Sequence, residues 1–96
     1  MRVDFHPEAL AELEAAAQFY ESRKAGLGVR FIEAVEEAAS RIAASPSTGR
    51  RVDEDVRRCL TRVFPYGVLY SVEHDSILIV AVAHLARESG YWKARL

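Results

Sequence analysis

The side chains best suited to chemistry lie near the end of the sequence, where His84, Arg87 and Tyr91 follow one another at spacings of three and four residues. Cleavage of RNA through its 2′-hydroxyl needs groups that transfer protons and a group that stabilises the phosphorane charge. Histidine and tyrosine suit the first task, and arginine suits the second. In the alternative interpretation, His84 caps a strand by hydrogen bonding, while Tyr91 and Trp92 close the core. We favour this structural role over catalysis.

A second candidate site consists of arginines that follow a strand-like pattern: Arg57, Arg58 and Arg62, together with Arg87. Arg58 and Arg62 fall on one predicted strand face, roughly 13 Å apart at about 3.3 Å per residue. That separation suits two separate contacts with carboxylates or phosphates of a partner. In the alternative interpretation, the arginines lie on a solvated strand face and form ion pairs with acidic residues of the segment 53–55.

Nothing in the sequence indicates a metal or a cofactor, and we expect neither. The three histidines lie on different predicted elements, with no close-spaced pair of ligands: His6, His74 and His84. The Gly-x-Gly at 26–28 separates two predicted helices, so we interpret it as a turn rather than a phosphate-binding loop. Cys59 is the only cysteine, so it forms no intramolecular disulfide, and its strand-like surroundings predict a packing residue rather than a nucleophile.

Length and composition indicate one ordinary globular domain over residues 1–96. Half of the 96 residues are hydrophobic, and the net charge is -1. Residues 1–45 carry five basic and eight acidic side chains, whereas residues 46–96 carry eight and six. This basic excess is too small for nonspecific binding to duplex DNA. The longest apolar run, Ile77 to Ala83, is too short to cross a bilayer, and the first residues do not resemble a signal peptide, so we expect a cytoplasmic protein.

The hydropathy pattern predicts an α+β fold with the order β-α-α-β-β-β. A short strand at 2–5 precedes two helices whose apolar stripes repeat at helical spacing. The first stripe consists of Leu10, Leu13, Ala17 and Tyr20, and the second of Phe31, Val35, Ala38 and Ile42, widened by Ile32 and Ala39. The segment 47–55 is polar and is predicted to be a loop, and three strands then follow between Val56 and Ala83. Consecutive strands joined by short turns pair antiparallel, so we expect a three-stranded meander with both helices on one face. The other face is expected to be open and to carry some of the arginines.

Several short motifs along the whole chain resemble the RelE/ParE toxin superfamily, and the long helical hairpin and His-x-x-Arg ending resemble its ParE and plasmid-stabilisation branch. They are Pro7-Glu8-Ala9, Phe19-Tyr20-Glu21, Gly26-Leu27-Gly28 with Phe31, Ser45-Pro46, Arg62-Val63-Phe64-Pro65-Tyr66 with Tyr70, and Ala81-Val82-Ala83-His84 with Arg87 and Tyr91-Trp92. The resemblance implies the toxin of a type II toxin–antitoxin system, which a cognate antitoxin neutralises in a hetero-oligomer.

The resemblance leaves two modes of action open. ParE-like members bind and inhibit DNA gyrase without being nucleases, whereas RelE-like members cleave mRNA on the ribosome. Here Leu85 stands where RelE-like nucleases carry a catalytic arginine, and Arg50 and Arg51 are followed by three acids where those enzymes use lysines. These two differences from the RelE-like pattern favour ParE-like inhibition of gyrase, with RelE-like cleavage as the alternative. His84, Arg87 and Tyr91 would be catalytic only in the second case, whereas the arginines would bind antitoxin or target in either case.

Overall fold

The computed structural model describes residues 1–96 and consists of two helices on a five-stranded sheet. The strands are β1 (Arg2–Phe5), β2 (Arg50–Arg51), β3 (Arg57–Leu60), β4 (Tyr66–Val72) and β5 (Ser76–His84). The helices are α1 (Pro7–Arg23) and α2 (Leu27–Ala44), and a 3-10 turn follows at Lys93–Arg95. The predicted α+β class and helical hairpin are confirmed. None of the helices is both long and apolar enough to cross a membrane.

The sheet is larger than the predicted meander, because two further strands join its edges in the order β1-β5-β4-β3-β2. The first strand, β1, runs parallel to β5 and pairs only with Ser76 to Ile79 of it. The second, β2, lies in the segment predicted to be a loop and pairs with Arg57 and Arg58 of β3. Two residues are too few to show an alternating pattern, which is why the sequence did not reveal β2.

Local hydrogen bonds begin and join the helices. Pro7 opens α1, as its position predicts, and the Glu8 N–H donates to His6 Nδ1 at 3.0 Å. Between the helices, the Glu21 carboxylate accepts from the backbone N–H groups of Gly26 and Gly28, each at 2.9 Å. A side chain at Gly28 would lie 2.6 Å from the Ala17 carbonyl oxygen, so glycine is needed where the helices approach most closely.

The main core lies between the helices and one face of the sheet. Its largest members come from α2, β4 and β5. The predicted α2 stripe is fully buried at Phe31, Val35, Ala38 and Ile42 and partly buried at Ile32 and Ala39. The buried residues are Ala9, Leu13, Ala16, Ala17, Phe31, Val35, Ala38, Ile42, Cys59, Val68, Tyr70, Ile77, Ile79 and Val82. Burial raises the pKa of the Cys59 thiol, which agrees with its predicted packing role. Leu10 was expected in the α1 stripe but is 43% exposed.

The chain after β3 departs from the predicted strand. Arg58 and Arg62 were expected to share one strand face, but β3 ends at Leu60. A turn at Val63 then reverses the direction of the following side chain. Phe64 consequently packs on the helix side, with its ring centroid 4.9 Å from that of Tyr20 and 5.2 Å from that of Phe31. The alternation of residue types therefore overstated the length of this strand.

The second face of the sheet is partly covered, which corrects the expectation that it is open. The segment 85–96 folds back over it and buries the Trp92 indole. Trp92 belongs to a smaller core that contains Val56, Leu69 and Val80, among other residues. We call the part of this face that remains accessible beside the segment the open face.

Candidate functional site

The open face has a small cavity that brings together four of the residues singled out by sequence. Arg58, His84, Arg87 and Tyr91 line a space of about 170 Å³, and Trp92 forms part of its wall. Strand β3 supplies the first arginine, β5 ends in the histidine, and the segment 85–96 supplies the others. The site therefore depends on the way this segment folds back over the sheet.

Arg58 reaches the cavity because β4 has no side chain beneath it at Gly67. A Cβ atom at Gly67 would lie 2.8 Å from Arg58 Cδ and 2.9 Å from Arg58 Cγ. The aliphatic stem of Arg58 therefore crosses the sheet over a glycine, and its guanidinium projects toward the end of β5. No side chain of the protein forms an ion pair with this guanidinium, so its donors remain available to a partner.

His84 and Arg87 are oriented by short-range contacts. His84 Nδ1 accepts a hydrogen bond from the Ala86 backbone N–H at 3.0 Å, which leaves Nε2 as the donor of the neutral ring. The Arg87 guanidinium stacks on the Tyr91 ring, 3.8 Å from its centroid. These contacts match the strand-capping role predicted for His84, and they hold Arg87 at the cavity without using its charge in an ion pair.

The Tyr91 hydroxyl points away from the cavity and into a buried network around Glu12. It donates to Glu12 Oε2 at 2.7 Å, and Arg95 donates to both oxygens of the same carboxylate at 2.9 and 3.0 Å. The Val82 backbone N–H donates to Glu12 at 3.0 Å, while Arg95 also donates to the Val80 carbonyl at 3.0 Å. These side chains satisfy backbone groups of β5 beyond the end of β1.

The network shifts the titration of both acidic partners. Burial would raise the pKa of Glu12, but the hydrogen bonds from Arg95, Tyr91 and Val82 outweigh it and lower that pKa. Burial, together with the bond to the Glu12 carboxylate, raises the pKa of the Tyr91 hydroxyl well above its ordinary value. A tyrosine held in this way is poorly suited to transfer a proton at neutral pH. The arrangement of the cavity therefore suits anion binding better than acid–base chemistry.

Glu12 was not singled out from the sequence as a functional residue. It appeared as one of several acids on the polar side of α1, and its partners lie 70 to 83 residues away. No short-range pattern connects residues that far apart. The Val82 N–H at the β5 edge, together with Tyr91 and Arg95, explains why this particular acid is partly buried.

The other two arginines of the candidate group lie elsewhere. Arg57 donates to the Ser47 carbonyl at 3.1 Å and the Gly49 carbonyl at 2.8 Å, so it holds the loop before β2. Arg62 lies beyond β3, and its Nε is 3.3 Å from a carboxylate oxygen of Glu37 on α2. The structure therefore brings together Arg58 and Arg87, but separates them from Arg57 and Arg62.

Comparison with known proteins identifies the class of this fold. A family model described as the ParE toxin of the type II toxin–antitoxin system parDE matches residues 3–88. The chain therefore belongs to the ParE toxin family. A chain of the chromosomal ParDE TA system from P. aeruginosa has the same fold, with a TM-score of 0.68 and 19% identity over 88% of this chain and 95% of that chain. No curated protein matches the sequence.

Proposed function

We propose that this chain is the toxin of a type II toxin–antitoxin pair and that it inhibits DNA gyrase by binding rather than by cleaving a substrate. Membership of the ParE family supports the first part. The observation that carries the second part is the pairing of the Tyr91 hydroxyl with Glu12, which removes the best proton donor from the cavity. Arg58 and Arg87 remain free to contact carboxylates of a protein partner.

A RelE-like ribosome-dependent mRNA interferase is the second candidate, because His84, Arg87 and Tyr91 do line one cavity with Arg58. In that mechanism, an arginine would stabilise the phosphorane, and histidine or tyrosine would transfer protons. The bond from Tyr91 to Glu12 and the leucine at position 85 both disfavour it.

Expression in cells separates these two modes of action. Under the proposal, induction of the chain arrests growth and triggers DNA-damage signalling, while primer extension on translated mRNA shows no new ends. Replacing His84 with Ala should leave the growth arrest within about twofold, because the ring contributes no proton transfer. Cuts at ribosomal A-site codons that disappear in the His84→Ala or Arg87→Ala variants would instead establish the interferase.

We further propose that a cognate antitoxin docks beside α1. Strand β1 pairs with only the first part of β5, so a groove remains between α1 and the last residues of β5. Its lining combines small residues, two aromatic rings and an arginine: Glu12, Ala15, Ala16, Phe19, Tyr66, Val82, His84 and Arg87. Phe19 is 50% exposed at the rim. An amphipathic or extended antitoxin segment would cover these apolar groups.

The product of the neighbouring open reading frame provides the test of this docking site. Co-expression with the chain should give a stable complex and restore growth. The Phe19→Asp variant should weaken the complex at least tenfold, whereas Val29→Asp, at an exposed valine of α2, should not. Equal binding by both variants would place the antitoxin elsewhere. In this proposal, residues 1–96 act as one cytoplasmic toxin domain, and the pair stabilises the plasmid or chromosome segment that encodes it.

A further inference from the structure

The loop between β3 and β4 contains a backbone conformation that valine rarely adopts. Val63 has a φ of 72° and is the only residue other than glycine with positive φ. The Phe64 N–H donates to the Arg62 carbonyl at 2.8 Å, so Val63 is the central residue of a three-residue γ-turn. Positive φ in such a turn is strained, and a β-branched side chain increases the strain.

Buried residues on both sides hold this turn in place. Thr61 donates its backbone N–H to the Tyr66 carbonyl at 3.0 Å, and its hydroxyl lies 2.9 Å from the Phe64 carbonyl oxygen. The Phe64 ring is fixed among the aromatic side chains of the main core. The surrounding fold therefore imposes the conformation, as expected for strain that persists in a native state.

The side chain of Val63 contributes nothing to the fold that would offset this strain. It is 91% exposed, the highest value among the large hydrophobic residues. Glycine adopts positive φ without penalty and would serve the fold better. The fold itself therefore gives no reason for a strained and exposed valine at the apex of this turn.

The neighbourhood of the turn indicates the chemistry of a molecule that would contact it. Leu60 and Leu85 are also exposed, and the Leu85 N–H donates to Pro65 of the same loop at 2.9 Å. The groove beside the turn carries two arginines and two glutamates, and Arg62 lies 3.3 Å from the Glu37 carboxylate, so the groove presents no net charge to a partner. A complementary surface would therefore offer an apolar pocket.

We propose that the Val63 turn inserts into an apolar pocket on the folded target protein. The turn protrudes and is rigid, so it requires a partner with a preformed concavity. An antitoxin segment that becomes ordered on the groove beside α1 has no such concavity. The inference rests on the proposed function as a toxin that acts by binding, and it assigns the first contact to an element outside the open-face cavity.

In the Val63→Gly variant, the Tm and the affinity for the target should change in opposite directions, so the variant separates an effect on binding from an effect on folding. Release of strain should raise the Tm by about 4 °C, while loss of the apex should weaken target binding at least tenfold and abolish growth arrest. Val63→Ala keeps the strain and should lose activity without a gain in Tm. As a matched control, Val72→Gly on β4, where the valine is 47% exposed, should lower the Tm and leave growth arrest intact.

These measurements test the role of the Val63 turn separately from the assignment of gyrase as the target. Full growth arrest by Val63→Gly, or a Tm below that of the unmodified chain, would overturn the role of the turn. Loss of antitoxin binding by the same variant would assign the turn to the antitoxin and overturn the target assignment. Growth arrest that depends on Val63 without any effect on gyrase would support the turn and reject gyrase. An unmodified chain that does not arrest growth would overturn both.

Discussion

At the scale of single residues, the structure depends on the Glu12 carboxylate, whose role no local sequence pattern reveals. Glu12 accepts hydrogen bonds from Tyr91, Arg95 and the backbone of Val82, and its side chain is 17% exposed. It thereby joins α1, β5 and the segment that covers the open face. Because the segment carries Arg87 and Tyr91, the position of the candidate site depends on this one acid.

Removal of the charge at Glu12 should be costly. Glu12→Gln would leave the Arg95 side chain, which is 9% exposed, with only the exposed Glu8 carboxylate 3.7 Å away as a charged partner. We expect a loss of about 3 kcal/mol in the free energy of unfolding, measured by urea denaturation. The matched variant Glu14→Gln, at an exposed position of the same helix, should change it by less than about 0.5 kcal/mol. Equal effects would show that the network does not stabilise the fold.

The same residue predicts how stability depends on pH. The pKa of Glu12 is lowered from its ordinary value of 4.5, so the folded state favours the charged carboxylate. Its contribution is fully present above pH 4.5 and is lost as pH falls through the lower folded-state pKa. Urea titrations across this range should show a steeper loss for the unmodified chain than for Glu12→Gln. Parallel pH curves would contradict the assignment.

The sequence predicted the identities of several site residues but not their partners. The grouping of His84, Arg87 and Tyr91 was visible because they lie close together in the chain, and they do line one cavity. The ion pair of Glu12 and Arg95 was invisible because 83 residues separate them. Strand alternation placed Arg62 on the face of Arg58, which fails because β3 ends at Leu60. Arg57 lies within β3 next to Arg58, so its side chain points to the other face of the sheet.

At the scale of elements, a glycine in β4 positions an arginine of β3. Gly67→Ala would place a methyl group against the Arg58 stem, 2.8 Å from Cδ, and displace its guanidinium from the open face. We expect weaker target binding, by about tenfold, with a loss of stability of about 1 kcal/mol. Isothermal titration with the target and urea denaturation would measure the two effects. If Gly67→Ala binds as the unmodified chain does, Arg58 does not act from this position.

The elements that sequence predicted well are those with long periodic patterns. The stripe of α2 repeats over about three turns, and β4 and β5 pair antiparallel across a short turn as expected. The elements that it missed are short or depend on distant contacts. β2 has two residues, the Val63 turn is fixed by Thr61 and Phe64, and the cover over the open face depends on Glu12.

At the scale of the whole molecule, the fold presents adjoining surfaces to its two proposed partners. The groove beside α1 is proposed for the antitoxin, and the open-face arginines and the Val63 turn are proposed for the target, but His84 and Arg87 line both the groove and the open-face cavity. An antitoxin docked in the groove would therefore cover Arg87 and compete with the target for it. Variants of Phe19, which lines only the groove, can leave target binding intact, whereas variants of Arg87 should affect both partners.

The most direct test of this account is the amount of gyrase–DNA cleavage complex trapped by the purified chain. We expect the unmodified chain to trap it, and the Arg58→Ala/Arg87→Ala double variant to trap at least tenfold less. Arg2→Ala/Arg23→Ala removes the same charge from exposed positions of β1 and α1, outside the cavity, and should trap as much as the unmodified chain. No trapped complex at saturating amounts of the unmodified chain would contradict the central claim.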